Sequence, residues 1–178
     1  MLVPNSRGHS KFQGWFYMAD VPGLRVEEHI LTTRDNTKIH SLLYRPAEVK
    51  NQHAVLIASA MGFKQSFYRH YATWLAEQGF VALTFDYRGI GASLNRGLWG
   101  YEATLAEWGS QDLQAAISWL KRHYPTHTLH VVGHSIGALL LGLAPYNNRV
   151  DSLLGIAPPN IYWGNWPPHQ RAMILAFW

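Results

Sequence analysis

The hydrophobic pattern of this chain predicts strands and helices in alternation. The segments 26–32 and 37–44 flank the turn residues Asp35 and Asn36, which predicts an antiparallel hairpin that Pro46 ends. Continuous apolar runs, typical of strands buried on both faces, follow at 54–58, 80–85, 128–132 and 152–157. Apolar residues at helical spacing predict helices over 67–78, from 105 to 120 and over 138–144. This alternation predicts an α/β fold, a mostly parallel sheet with helices on both faces.

Composition narrows the class of protein without changing that architecture. The chain has 178 residues, of which 48% are hydrophobic and 15% charged, so a sizeable folded core is expected. The net charge of +4 is carried by scattered basic residues, which disfavours nucleic-acid binding. The absence of cysteine excludes disulfides and thiol catalysis. We find neither an apolar run of membrane-span length nor a signal-peptide core, so a cytoplasmic location is expected.

The most informative motif is Gly133-His134-Ser135-Ile136-Gly137, which lies between the predicted strand 128–132 and the predicted helix 138–144. G-x-S-x-G between a strand and a helix is the nucleophile elbow of α/β-hydrolases. The turn is so tight that side chains two residues before and after the serine would clash, hence Gly133 and Gly137. His134 is expected to face away from the serine and to pack. The motif predicts Ser135 as a nucleophile.

Three segments in the same order resemble the α/β-hydrolase superfamily. They are Ser59-Ala60-Met61-Gly62, the segment Asp86-Tyr87-Arg88-Gly89-Ile90-Gly91-Ala92-Ser93, and the motif around Ser135. The chain looks most like the bacterial predicted hydrolases of the serine-aminopeptidase-like and lysophospholipase-like branch, from about residue 27 to 178. We therefore expect an N-terminal extension, 1–24, and a hydrolase core, 25–178, that lacks the last strands and the cap region of the fold at its C-terminus.

The resemblance implies a small-molecule acyl substrate, cleaved at an ester, thioester or amide through an acyl-serine intermediate. No metal and no organic cofactor is implied. Attack by the serine produces a negatively charged oxygen, the oxyanion, which needs two backbone N–H donors. One of them is expected from Ile136. The second comes from the loop after the third strand, where Ser59-Ala60 stands in place of the usual His-Gly. Either Ala60 or Met61 is the second donor.

Other polar residues have structural explanations. Asp86 and Arg88 are expected to build their loop through internal hydrogen bonds and ion pairs. His123, His127 and His130 are close in sequence, but Pro125 breaks any helix that would align them for a metal. The C-terminal aromatic residues either line an acyl pocket in a lid or belong to the core; they are Tyr162, Trp163, Trp166, Phe177 and Trp178.

The acid and base of a catalytic triad are not evident. After Ser135 the chain contains one acid, Asp151, and one histidine, His169, in the order that the superfamily uses. Asp151 precedes the sixth strand, at the sheet end opposite to Ser135, and a strand of that length spans about 20 Å. Asn160, just past that strand, cannot replace a carboxylate. The triad Ser135–Asp151–His169 is therefore disfavoured.

These observations leave two functions open. The first is a serine hydrolase; the second is a non-catalytic relative or binding module that lacks the acid and base. If the last strands of the fold are missing, the sixth strand becomes an exposed apolar edge, which predicts marginal stability, self-association through that edge or a need for a partner segment. Nucleotide binding is disfavoured, since neither G-x-G-x-x-G after the first parallel strand nor a P-loop motif occurs.

Overall fold

A six-stranded mixed sheet organises the residues that the computed structural model describes, which are 23–46, 48, 51–94, 97, 101–160, 162–168 and 170–171. The strands run in the spatial order β1-β2-β4-β3-β5-β6. Their bounds are Leu24–Thr32 (β1), Lys38–Pro46 (β2), His53–Ala58 (β3), Val81–Phe85 (β4), Thr128–His134 (β5) and Ser152–Ile156 (β6).

The hairpin β1–β2 is antiparallel and attaches to the rest of the sheet through an antiparallel β2–β4 pair. The pairs β3–β4, β3–β5 and β5–β6 are parallel. Parallel neighbours bring their carboxyl ends to one edge of the sheet, where α/β proteins place their ligand sites. The predicted α/β sheet with an antiparallel opening hairpin is confirmed.

Helices cover both faces of the sheet. A 3₁₀ turn, Gln65–Tyr68, leads into α1, Arg69–Glu77. The predicted helix from 105 to 120 is continuous but not uniform: α2 (Leu105–Glu107) and α3 (Gln114–His123) flank a π-helical segment, Trp108–Leu113. The last helix, α4, covers Ile136–Leu140 and continues as a 3₁₀ turn, Leu141–Leu143.

The core has two layers, one on each face of the sheet. On β3, Leu56 belongs to the layer that contains Ile117 of α3 and Leu140 of α4. Its neighbours Val55 and Ile57 belong to the layer formed with α1. Successive side chains of a strand point to opposite faces, so a strand buried on both faces needs a continuous apolar run. This explains why polar and apolar residues do not alternate along β3 and β4.

The strand β6 differs, because it lies at the end of the sheet and its side chains are exposed. Leu153, Leu154 and Ile156 expose 46%, 55% and 44% of their surface. Within the described residues β6 pairs with β5 alone. The predicted exposed apolar edge is confirmed, whereas self-association through it stays a prediction.

Three of the predictions fall wholly or partly on residues that the structure does not describe. Most of the predicted extension 1–24 lies outside the described residues, although β1 begins at Leu24, next to the predicted boundary. The candidate base His169 and the aromatic residues Phe177 and Trp178 also lie outside them. Among the helices that are described, we find none with the length and apolar character that a membrane crossing requires.

Candidate active site

Ser135 occupies the turn between the end of β5 and the start of α4. Its backbone has φ 52° and ψ −123°, in a region that residues with a side chain seldom adopt. Such conformations cost free energy and persist where the surrounding structure holds them in place. Here the Ser135 N–H donates to the Ile156 carbonyl at 2.9 Å, and the Ser135 carbonyl accepts from the Ala138 N–H at 3.2 Å.

The two glycines of the motif allow the turn to pack closely on its neighbours. A Cβ on Gly133 would lie 2.4 Å from the Ala138 Cα, and one on Gly137 would lie 2.3 Å from the Ala58 carbonyl oxygen. Both neighbouring atoms are backbone, so no side-chain rotation could relieve the contact. The clash that the sequence predicts at both positions is therefore present in the structure.

Ile136 is the first residue of α4, so its N–H has no acceptor within the helix. It directly follows Ser135 and is buried. The Ile136 N–H therefore remains the candidate oxyanion donor that the sequence predicts, one residue beyond the candidate nucleophile.

The loop after β3 supplies the second candidate donor. The Ala60 carbonyl accepts from the Phe63 N–H at 3.1 Å, closing a turn in which Gly62 has φ 76°. This is the arrangement of a type II turn, which leaves the N–H of its second residue, Met61, unused. The Ala60 N–H, by contrast, donates to the Tyr68 Oη at 2.9 Å. Of the two candidates Ala60 and Met61, only Ala60 has its N–H engaged by a side chain.

His134 lies beside the serine and bonds to the same tyrosine. Its Nδ1 is 2.9 Å from the Tyr68 Oη, and its ring lies 6.0 Å from that of Phe63. Tyr68 was not a candidate from sequence. Its two partners lie 8 and 66 residues away in the chain, so no local spacing indicates the contact.

Asp86 and Arg88 build the loop after β4, as expected. Asp86 accepts from the Gln65 N–H at 2.7 Å and from the Ala92 N–H at 2.9 Å. The buried Arg88 guanidinium bonds to three carboxylates, those of Asp35, Glu107 and Asp112. The hydrogen bond from Arg88 holds the pKa of Asp35 well below its usual value.

Asp151 lies at the sheet end opposite to Ser135. Its Oδ2 accepts from the Leu129 N–H at 2.7 Å, near the start of β5, and from Lys121 at 3.3 Å. The backbone hydrogen bond is the largest cause of its lowered pKa. Ser135 follows the last residue of the same strand. In the described part of the chain, the Ser135 Oγ has no hydrogen-bond partner.

The three histidines considered for a metal are also placed by the structure. His130 Nε2 lies 2.9 Å from His53 Nδ1, and His123 Nδ1 lies 2.9 Å from the Trp119 carbonyl. Burial lowers the pKa of His127 and of His130. A search of the described residues finds no group of histidines and acids arranged to hold a metal ion.

A strained serine between a parallel strand and a helix, in a sheet opened by an antiparallel hairpin, defines an α/β-hydrolase. The sequence matches the family model "Serine aminopeptidase, S33" over residues 49–175, which is more than half of the chain. The chain belongs to this family. It is also 31% identical over 106 residues to the probable aminopeptidase YbaC of Bacillus subtilis (strain 168), a match that covers 59% of this chain and 32% of that protein.

Solved structures share the fold at low sequence identity. A thermostable carboxyl esterase from Bacillus coagulans matches 73% of this chain and 43% of its own, with a TM-score of 0.64 and 20% identity. The hypothetical protein PA2218 from Pseudomonas aeruginosa matches 88% of this chain and 52% of its own, with a TM-score of 0.67 and 19% identity. XC6422 from Xanthomonas campestris, an α/β serine hydrolase without a lid, matches 80% of this chain and 64% of its own, with a TM-score of 0.61 and 21% identity. The chain thus spans less than two thirds of each of these proteins.

Proposed function

We propose that this chain is a serine hydrolase in which Ser135 attacks the carbonyl carbon of an acyl ester, thioester or amide. The observation that carries the proposal is the backbone conformation of Ser135, which has φ 52°. The turn can form only because Gly133 and Gly137, which pack closely against neighbouring backbone, have no side chains. Strain of this kind concentrates at functional sites, because the fold must stabilise it elsewhere.

In the proposed reaction, a general base, either His169 or one supplied in trans, takes the hydroxyl proton of Ser135 while its Oγ attacks the carbonyl carbon. The attack produces a tetrahedral intermediate with a negatively charged oxygen, and the base then donates the proton to the leaving group. The N–H groups of Ile136 and Met61 donate to that oxygen, since the Ala60 N–H is engaged by Tyr68. Collapse of the intermediate expels the alcohol, thiol or amine and leaves an acyl-serine, which water then hydrolyses. The reaction uses no metal and no organic cofactor. Asp151 has no part in it, because it is bound near the start of β5.

The substrate class follows from the carbonyl chemistry and agrees with the relatives. One relative is named a probable aminopeptidase and another a carboxyl esterase. Amide and ester cleavage share the acyl-serine intermediate, so both names are compatible with one site. Met61 and Phe63, which are exposed beside the proposed site, would contact an apolar part of the acyl group.

A fluorophosphonate probe tests the proposal, since it reacts with a serine whose proton is taken by a base. We expect the purified chain to be labelled, Ser135→Ala to lose all labelling, and Ser110→Ala to label like the wild type. Ser110 is a suitable control because its hydroxyl donates to the Ala106 carbonyl in the helical segment, away from the turn.

Two results would contradict this proposal. Labelling that persists in Ser135→Ala would place the nucleophile elsewhere. A folded chain that is not labelled would favour the second function, a non-catalytic binding module that lacks the acid and base.

A further inference from the structure

Tyr68 connects the two halves of the proposed site. It is the last residue of the 3₁₀ turn before α1, and only 8% of its surface is exposed. Its Oη lies 2.9 Å from the Ala60 nitrogen, in the loop after β3, and 2.9 Å from the Nδ1 of His134, the residue before the serine. One hydroxyl therefore joins the loop that carries Met61 to the strand end that carries Ser135.

The protons of this contact can be assigned from the chemistry of the groups. A backbone N–H only donates, so the Tyr68 oxygen accepts from Ala60. Burial raises the pKa of Tyr68, so its hydroxyl keeps a proton at neutral pH. That proton needs an acceptor, and the His134 Nδ1 lies at hydrogen-bond distance. An imidazole that accepts at Nδ1 carries its proton on Nε2.

We propose that Tyr68 is a positioning residue of the Ser135 site. Its hydroxyl holds the loop after β3 at a fixed distance from the nucleophile. Because the same hydroxyl accepts a hydrogen bond from the Ala60 N–H, the Met61 N–H is the one directed to the oxyanion. This inference rests on the proposed function and adds the residue that sets the geometry of its oxyanion donors. Small displacements of such donors are costly, because catalysis depends on their preorganisation.

The hydroxyl can be tested separately from the ring. The Tyr68 ring packs edge-on against Phe67, with the centroids 5.1 Å apart, and against His134 at 6.0 Å. Tyr68→Phe keeps these ring contacts and removes only the Oη. Tyr71→Phe is the matched control, since Tyr71 lies on α1 and stacks on Trp74, away from the site.

The first measurement is the reaction of each variant with the fluorophosphonate probe over a range of concentrations, which separates the rate constant of phosphonylation from the affinity for the probe. We expect Tyr68→Phe to lower the rate constant about 10-fold to 100-fold and to leave the affinity unchanged. This loss is smaller than the roughly 100-fold to 1000-fold that follows removal of an oxyanion donor, because the variant displaces the donor without removing it. Tyr71→Phe should match the wild type. Equal rate constants for Tyr68→Phe and the wild type would overturn the proposal.

The second measurement needs no labelling and so separates this proposal from the proposed function. Imidazole ¹⁵N signals of His134, assigned by their disappearance in His134→Gln, should show a bare Nδ1 and a protonated Nε2 in the wild type. In Tyr68→Phe this preference should be lost. A protonated Nδ1 in the wild type would overturn the proposal even if Ser135 is labelled. If the wild type is not labelled, the proposed function fails. The imidazole signals alone then decide whether the hydrogen bond between the Tyr68 hydroxyl and the His134 Nδ1 exists.

Discussion

Single residues set the geometry of the turn around Ser135. The serine could not adopt a positive φ at this point without two neighbours that have no side chain, because the helix and β3 approach the backbone too closely. At Gly137 the nearest atom is the carbonyl oxygen of Ala58, the last residue of β3. The glycine thus lets α4 lie directly against the strand that leads into the loop carrying Ala60 and Met61.

Gly137→Ala should therefore destabilise the protein. The new Cβ would lie 2.3 Å from a backbone oxygen, so the helix or the strand must move. Overpacking of this kind costs about 1–3 kcal/mol in the free energy of unfolding, measured by urea denaturation. Gly142→Ala is the control, because its Cβ would meet nothing within 4 Å. Equal urea-unfolding midpoints for Gly137→Ala and Gly142→Ala would show that the turn around Ser135 is not tightly packed.

At the scale of elements, Arg88 joins three parts of the chain that are distant in sequence. Its guanidinium bonds to Asp35 in the β1–β2 turn, at 2.7 Å, and to Glu107 at the end of α2, at 3.1 Å. It also bonds to the buried Asp112 in the π-helical segment, at 2.9 Å. The hairpin, the loop after β4 and the long helix are thereby fixed to one another close to the carboxyl end of β4.

The Asp35 ion pair predicts a pH-dependent contribution to stability. Because Arg88 lowers the pKa of Asp35 in the folded state, the folded chain binds fewer protons there than the unfolded chain. The stabilisation is complete above the unfolded pKa, about 3.9, and is lost as the pH falls toward the lower folded value. Asp35 is partly exposed, so Asp35→Asn should cost only about 0.5–1 kcal/mol at pH 7.

Denaturant unfolding of the wild type and Asp35→Asn at several pH values tests this contribution. The difference in the free energy of unfolding between the wild type and Asp35→Asn should be constant from pH 7 to pH 5 and should shrink below about pH 4. Glu77→Gln is the control, since Glu77 is an exposed carboxylate of α1 outside every ion pair found among the described residues. A difference that grows as the pH falls would contradict the assigned direction of the pKa shift.

The elements themselves could largely be predicted from sequence, because each depends on contiguous residues. The predicted runs 54–58 and 80–85 coincide with β3 and β4 to within one residue, since a strand buried on both faces is mostly apolar. The exception on β4 is Thr84, which is buried and donates to Gln65. The π-helical segment, Trp108–Leu113, could not be predicted. It lies where Gly109 packs against the Leu140 carbonyl, a contact between helices that are distant in the chain.

The same distinction applies to the candidate site. The motif around Ser135 and its flanking strand and helix are contiguous, so the local sequence was sufficient to place the turn. The bond between Tyr68, Ala60 and His134 was not predictable, because it joins three elements that come together only in the folded sheet.

At the scale of the whole molecule, the two edges of the sheet are unequal. The β1 edge lies beyond a long antiparallel hairpin, whereas β6 is a short strand with exposed apolar side chains. An uncovered edge of this kind offers unpaired backbone groups to another strand. We therefore expect copies of this chain, studied alone, to associate through β6.

Leu154→Lys tests this expectation, since a charged side chain on an edge strand opposes pairing with a second copy. Sedimentation velocity should show the wild type associating with increasing concentration and Leu154→Lys remaining monomeric. Trp74→Lys is the control, because Trp74 is a comparably exposed apolar residue on α1, away from the edge. The edge would be excluded as the interface if the wild type stays monomeric at all concentrations, or if the wild type and both variants associate equally.

The bond from the Ser135 N–H to the Ile156 carbonyl also relates the outermost strand to the proposed chemistry. Ile156 is the last residue of β6, a strand whose five residues are all exposed, so the backbone of the serine is hydrogen-bonded to an exposed edge of the described sheet. A displacement of that strand would therefore reach the backbone of the serine directly through this hydrogen bond. We expect a peptide paired along β6 to change the rate at which a fluorophosphonate labels Ser135, although the peptide itself contacts neither the serine side chain nor the probe.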